Sequence, residues 1–85
     1  MDTATDHARR LMEGFGTYLQ ATRTAYEYSL RTLALELGHN HKVMLDAACL
    51  SRIERGVWIP SAVEDAALRH WLLQHPLPPN LGQGR

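Results

Sequence analysis

Apolar residues recur at three- and four-residue intervals along the whole chain, and no run alternates as a half-buried strand would. Leu11, Phe15, Tyr18, Leu19, Thr22 and Tyr26 fall on one stripe, which predicts a first helix with Thr5 or Asp6 as its N-cap. Gly14 and Gly16 weaken the start of that helix. Ser29 then opens LRTLALELG, a second helix with Leu30, Leu33, Ala34 and Leu37 inward and Gly38 as its C-cap. The stretch HNHKVML follows without clear punctuation. Asp46 can cap a third helix over AACLSRIER, Gly56 reads as a left-handed C-cap, and Pro60 stops any helix running into it. Ser61 with Glu64 three residues on is a capping box for a fourth helix over AVEDAALRHWLLQH. Pro76 ends it, and the proline- and glycine-rich LPPNLGQGR reads as a flexible tail. The expectation is an all-α fold of four to five helices, with one compact domain over residues 1–75 and a tail over 76–85.

The third helix decides where function is sought. Leu50 and Ile53 share one face, while Ser51, Arg52 and Arg55 point the other way. The helix therefore has one side to bury and one side to offer. With 85 residues the chain is a single small domain, able to bury roughly 60 % of its unfolded surface. Nine basic residues balance nine acidic ones, so a nucleic-acid partner would have to be met by a local patch. A single cysteine excludes an internal disulfide and fits a reducing compartment. The N-terminal MDTATDHARR has no apolar leader core, and no stretch approaches the roughly 20 apolar residues of a membrane span. A cytoplasmic protein without a membrane partner is expected.

The stretches SLRTLALELG and LSRIERGVWIPS resemble the Cro/C1-type helix-turn-helix domains of the Xre family of regulators. Leu33-Ala34, Gly38, the run from Leu50 to Gly56, and Pro60-Ser61 fall on that pattern, and the resemblance covers roughly residues 16–70. It implies a compact Cro/C1-type helix-turn-helix domain. It also implies that Arg23, near the end of the first helix, forms a structural ion pair with Glu54. One departure is a lengthened turn: Gly38 and Ser51 stand further apart than in the family pattern, and the surplus falls on residues 39–45. Those residues either form a loop or extend the third helix backwards through Val43. The N-cap character of Asp46 favours the loop.

The family register makes the helix at about 46–55 the recognition helix in the major groove, with Ala47, Ala48, Ser51 and Arg52 at base edges. An arginine can give two hydrogen bonds to guanine, and an alanine methyl can pack on a thymine methyl. Ser29, Arg31, Lys42 and Arg55 are the candidate phosphate contacts, the first two at a helix N-terminus that favours an anion. Without that register, an exposed helical arginine would be read as solvated. The fourth helix carries Val63, Ala67, Trp71 and Leu72, more apolar surface than a small core was expected to need, so Trp71 and Leu72 are assigned to a homodimer interface. Trp58 is read as core or the edge of that contact.

The expected function is sequence-specific binding of double-stranded DNA as a homodimeric transcriptional regulator. The alternative is a protein-interaction module of the same fold, an antitoxin or antiactivator whose long turn grips a protein partner and whose DNA binding is weak. Zero net charge and the turn insertion favour the second reading, and the intact LSRIERG favours the first. His39, His41 and Cys49 do not make the paired four-ligand spacing of a structural zinc site. No catalytic constellation or phosphate loop is present in the sequence, so neither an enzyme nor a cofactor is expected.

Overall fold

The computed structural model describes residues 3–77, and side chains from residue 14 onward. Four helices follow in order, α1 (Thr3–Ala25), α2 (Leu30–Asn40), α3 (Ala47–Glu54) and α4 (Ala62–Gln74), and no strand occurs among the described residues. Helices α1 and α2 both pack on α3, and α2 also packs on α4. The short α3 is therefore held between longer neighbours. Leu19 of α1, Leu33 and Leu37 of α2, Leu50 and Ile53 of α3, and Leu68 and Trp71 of α4 are buried together, joined by Val43 and Leu45 from the loop.

Three helices begin in the same way. The side-chain oxygens of Ser29, Asp46 and Ser61 accept hydrogen bonds from the amides of Thr32, Cys49 and Glu64 at 3.0, 2.8 and 3.2 Å. At Ser61 the box is closed, because the Glu64 carboxylate accepts the Ser61 amide at 2.8 Å. Two helices also end alike. Gly56 (φ 76°) donates to the Ile53 carbonyl at 3.0 Å and Val57 to that of Arg52 at 2.9 Å. Glu27 (φ 60°) donates to Thr24 and Tyr28 to Arg23, each at 2.9 Å. Both are the paired closure that a left-handed residue after a helix makes possible.

The sequence-based boundaries need correction at two ends. Helix α1 is already formed at Thr3, so Thr5 and Asp6 lie inside its first turn and are not the N-cap. Nothing before Gly14 breaks a helix, so the polar TATDHARR continues it upstream of the apolar stripe. Gly38 does not cap α2, which runs on to Asn40 with His41 as its C-cap. The left-handed residue is Lys42 (φ 58°), and the amides of His41 and Val43 both reach the Leu37 carbonyl, at 3.0 and 3.2 Å. The exit is set by where Val43 and Leu45 must enter the core. Residues 41–46 then form a loop, and α3 starts at Ala47 without a backward extension.

The stripe on α1 is narrower than its spacing suggests. Leu19 and Thr22 are buried and Phe15 is half-buried, whereas Tyr18 and Tyr26 are exposed. Tyr18 sits one residue, about 100°, round the helix from Leu19, and Tyr26 follows the last helical residue, where the chain has turned away. Leu11 lies outside the described side chains, and the tail over 78–85 lies outside the described residues.

The interface assigned to Trp71 and Leu72 is overturned by the packing of α4. Both side chains are buried within the single domain. The Trp71 indole N–H donates to Glu36 Oε2 at 2.8 Å, its ring meets Tyr28 edge-on at 5.4 Å, and His75 stacks on it at 4.2 Å. Glu36 also accepts the Tyr28 hydroxyl at 2.6 Å, and that bond raises the Tyr28 pKa. The half-buried carboxylate thus gives both ring donors, the buried Trp71 and the half-buried Tyr28, their partner. The core needed more of α4 than its length suggested, and the exposed large apolar residues of this helix are Val63 and Leu73.

Candidate nucleic-acid interface

Helix α3 is only eight residues long, too short to hold its shape in isolation. Its orientation comes from its contacts. Leu50 and Ile53 enter the core, and Glu54, also buried, meets Arg23 of α1. Arg23 donates from Nε to Glu54 Oε2 at 2.6 Å and from Nη2 to Oε1 at 3.1 Å, while Nη1 donates to the Tyr28 carbonyl at 2.8 Å. All three guanidinium nitrogens are used, so one side chain ties the end of α1, the α1–α2 turn and the end of α3. A lysine could not reproduce this planar fork.

Opposite the buried face, Ala48 and Arg52 are exposed and lie four residues apart on one side of α3. Ala47 and Ser51 are half-buried beside them. Arg52 makes no side-chain hydrogen bond or ion pair among the described residues, so its guanidinium is available to a ligand. Arg55 is exposed too, but its Nε already donates to the Ser51 carbonyl at 3.3 Å. Of the phosphate candidates, Arg31 is exposed in the first turn of α2 with no such partner among the described residues. The Ser29 hydroxyl is engaged with the Thr32 amide and hydroxyl. Lys42 is exposed, and its Nζ leans on the His39 carbonyl at 3.4 Å. The structure therefore brings the α3 residues together on one strip, while Trp71 and Leu72 are not on the surface at all.

Asp46 and Cys49 mark the entrance to α3. The Cys49 amide bond holds the Asp46 carboxyl below its usual range, with the charge of Arg52 adding to the effect. Burial pushes the Cys49 thiol up, and the nearby Asp46 charge pushes it further. No group of three or more His, Cys, Asp or Glu side chains among the described residues could hold a metal ion. No described helix is long and apolar enough to cross a membrane.

Two surface features go beyond the sequence reading, which named only Trp58 and Val63 of the second. One is a groove between α2 and the loop that leads into α3, lined in part by Leu35 and Met44. The signal was present, since Leu35 falls off the inward stripe of α2, and Val43, Met44 and Leu45 alternate as an extended segment must. The other is the run from Val57 to Val63, where Val57, Trp58, Ile59 and Val63 are between 41 and 71 % exposed. Comparison with family models, with curated proteins and with solved structures returns no match.

Proposed function

We propose that this chain is a Cro/C1-type helix-turn-helix domain that regulates transcription by binding an operator as a homodimer, with α3 in the major groove. The observation that carries the reading is the exposed strip of α3, with Ala48 and an unpartnered Arg52, on a helix locked to its neighbours by Arg23 and Glu54. Arg52 is the principal base reader, with Ala47, Ala48 and Ser51 beside it. Arg31, assisted by the amides of the Ser29-capped turn, holds a phosphate at the start of α2, and Lys42 and Arg55 supply weaker backbone contacts.

Reading and holding separate experimentally on DNA flanking the gene. Arg52→Ala is expected to cost about 2 kcal/mol per half-site on the cognate operator and to relax preference at one base position. Arg31→Ala is expected to weaken all sequences alike and to flatten the salt dependence by about one counterion. Electrophoretic shift assays across a salt series measure both. A wild-type protein without sequence-preferring DNA binding removes this function, and unchanged binding in both variants removes these two contacts.

A dimer on this reading uses the apolar run from Val57 to Val63, since the α4 side chains first assigned to it are buried. Trp58→Glu is expected to leave the domain folded, to convert the dimer to a monomer in sedimentation at micromolar concentration, and to weaken operator binding. A wild-type protein that stays monomeric with and without DNA would remove the dimer.

A further inference from the structure

Between α2 and the segment entering α3 lies an open groove of about 740 Å³. Two large apolar side chains line it from separate elements, Leu35 of α2 at 67 % exposure and Met44 of the loop at 91 %. Neither has a way to bury itself within the domain. Val43 and Leu45 point into the core, so the side chain between them in an extended segment must point out. Leu35 likewise lies beside Ala34 on the far side of the α2 stripe that carries Leu33 and Leu37.

We propose that this groove docks an acidic amphipathic helix of a protein partner, with the helix's apolar residues against Leu35 and Met44 and its carboxylates toward Arg31. Charge along the groove selects the sign. Arg31 and His39 stand eight residues apart on α2, and both line the groove, which places them about 12 Å apart along the axis at 1.5 Å per residue. That is two turns of a docked helix. Arg31 has no ion-pair partner among the described residues, whereas the one acidic group on the groove, Asp46, is committed to the Cys49 amide and lies within the field of Arg52. Asp46 remains an anion, but its charge is shared with the Cys49 amide and Arg52 whereas that of Arg31 is not, so the groove favours a negative partner over a positive one.

The same lining argues against other occupants. A small molecule would need several convergent donors and acceptors to fix its orientation, and here the charged groups stand apart with apolar side chains between them. Duplex DNA held at Arg31 and Ala47 would make no use of the leucine and methionine, which cannot bond phosphates. An amphipathic helix in an apolar groove uses both kinds of surface, with anchors at i, i+3, i+4 and i+7. This site does not depend on the DNA-binding reading. Ala47 and Arg31 serve both proposals, so occupation of the groove would also cover part of the strip assigned to DNA.

The test uses the full chain and a fluorescein-labelled synthetic helix of about four turns, with leucines on one face and glutamates on the other. A second peptide replaces every glutamate with lysine. Fluorescence anisotropy is expected to give micromolar binding of the glutamate peptide and binding at least about tenfold weaker for the lysine peptide. Leu35→Glu and Met44→Glu are each expected to weaken the glutamate peptide by about tenfold or more while keeping the wild-type thermal midpoint, because both side chains are exposed. Arg31→Ala, which leaves the apolar lining untouched, is expected to weaken the glutamate peptide severalfold and the lysine peptide not at all. Amide shifts in the protein NMR spectrum should cluster between residues 31 and 49. The proposal is overturned if the glutamate peptide fails to bind, if the two peptides bind equally, or if binding survives both groove variants. Shifts centred on residues 57–63, or shifts at residues 31–49 caused by a DNA duplex and by neither peptide, also overturn it.

Discussion

Replacing Arg23 with alanine is expected to destabilise the domain by about 4 kcal/mol, because removing one partner of a buried ion pair costs roughly 3–5 kcal/mol. The side chains of Arg23 and Glu54 are 14 and 4 % exposed, so the stranded carboxylate would be largely shielded from water. The variant also leaves the Tyr28 carbonyl without the guanidinium hydrogen bond it now receives. In a chain of this size the loss approaches the whole stability, which for small domains is about 5–15 kcal/mol. Glu54→Gln provides the contrast. It removes the charge but keeps an oxygen that can accept from Arg23, so its cost should be smaller. The double variant Arg23→Met with Glu54→Leu should recover much of the loss, since neither buried charge is then stranded. Urea denaturation of the four proteins measures these differences. A midpoint for Arg23→Ala equal to that of the wild type would show that the pair does not hold α1 to α3 in solution.

Where a local rule decides the outcome, the sequence was legible. Ser29, Asp46 and Ser61 begin their helices because a short oxygen-bearing side chain reaches the third amide, and that requirement is satisfied within four residues. Gly56 ends α3 for the same kind of reason. Gly38 looked equivalent and was not, because the exit of α2 depends on how the next residues reach the core. Lys42 takes the left-handed conformation there although its side chain gives no advantage in it. Trp71 failed in a related way. Its burial depends on Tyr28 and Glu36 arriving from other elements, and periodicity along α4 cannot tell a face covered by the domain from one that would need a second copy.

The strip on α3 and the groove beside it differ in the same respect. Ala48 and Arg52 could be placed on one exposed face from helical spacing alone. The groove needed the conformation of residues 41–46, which no spacing rule specifies, and it is there that the long turn brings Met44 near the Leu35 side of α2. A shorter connection between α2 and α3 would have no such surface. Residues 41–46 therefore shape what α2 and α3 offer to a partner, while α3 stays fixed on α1.

Gly16 and Gly14 are alike in sequence context, yet alanine should act on them with opposite signs. A Cβ at Gly16 would overlap the carbonyl oxygens of Ile53 and Glu54, whereas one at Gly14 meets nothing within 4 Å. The obstacle at Gly16 is backbone at the end of α3, which cannot rotate aside as a side chain could. Accommodating the methyl requires α1 and α3 to move apart, and that movement also stretches the bidentate bond from Arg23 to Glu54, seven residues further along α1. Gly16→Ala should therefore destabilise by about 3 kcal/mol, the upper end of ordinary overpacking. Gly14→Ala should stabilise by about 0.5–1 kcal/mol, because alanine orders a helix at lower entropic cost than glycine. The absence of a side chain at residue 16 is thus what lets α1 approach closely enough for its arginine to reach α3. Thermal unfolding of the two variants beside the wild type gives the signs directly. A Gly16→Ala protein that gained stability as Gly14→Ala does would mean that α1 and α3 do not touch at this point, and the positioning of α3 by α1 would have to be abandoned with it.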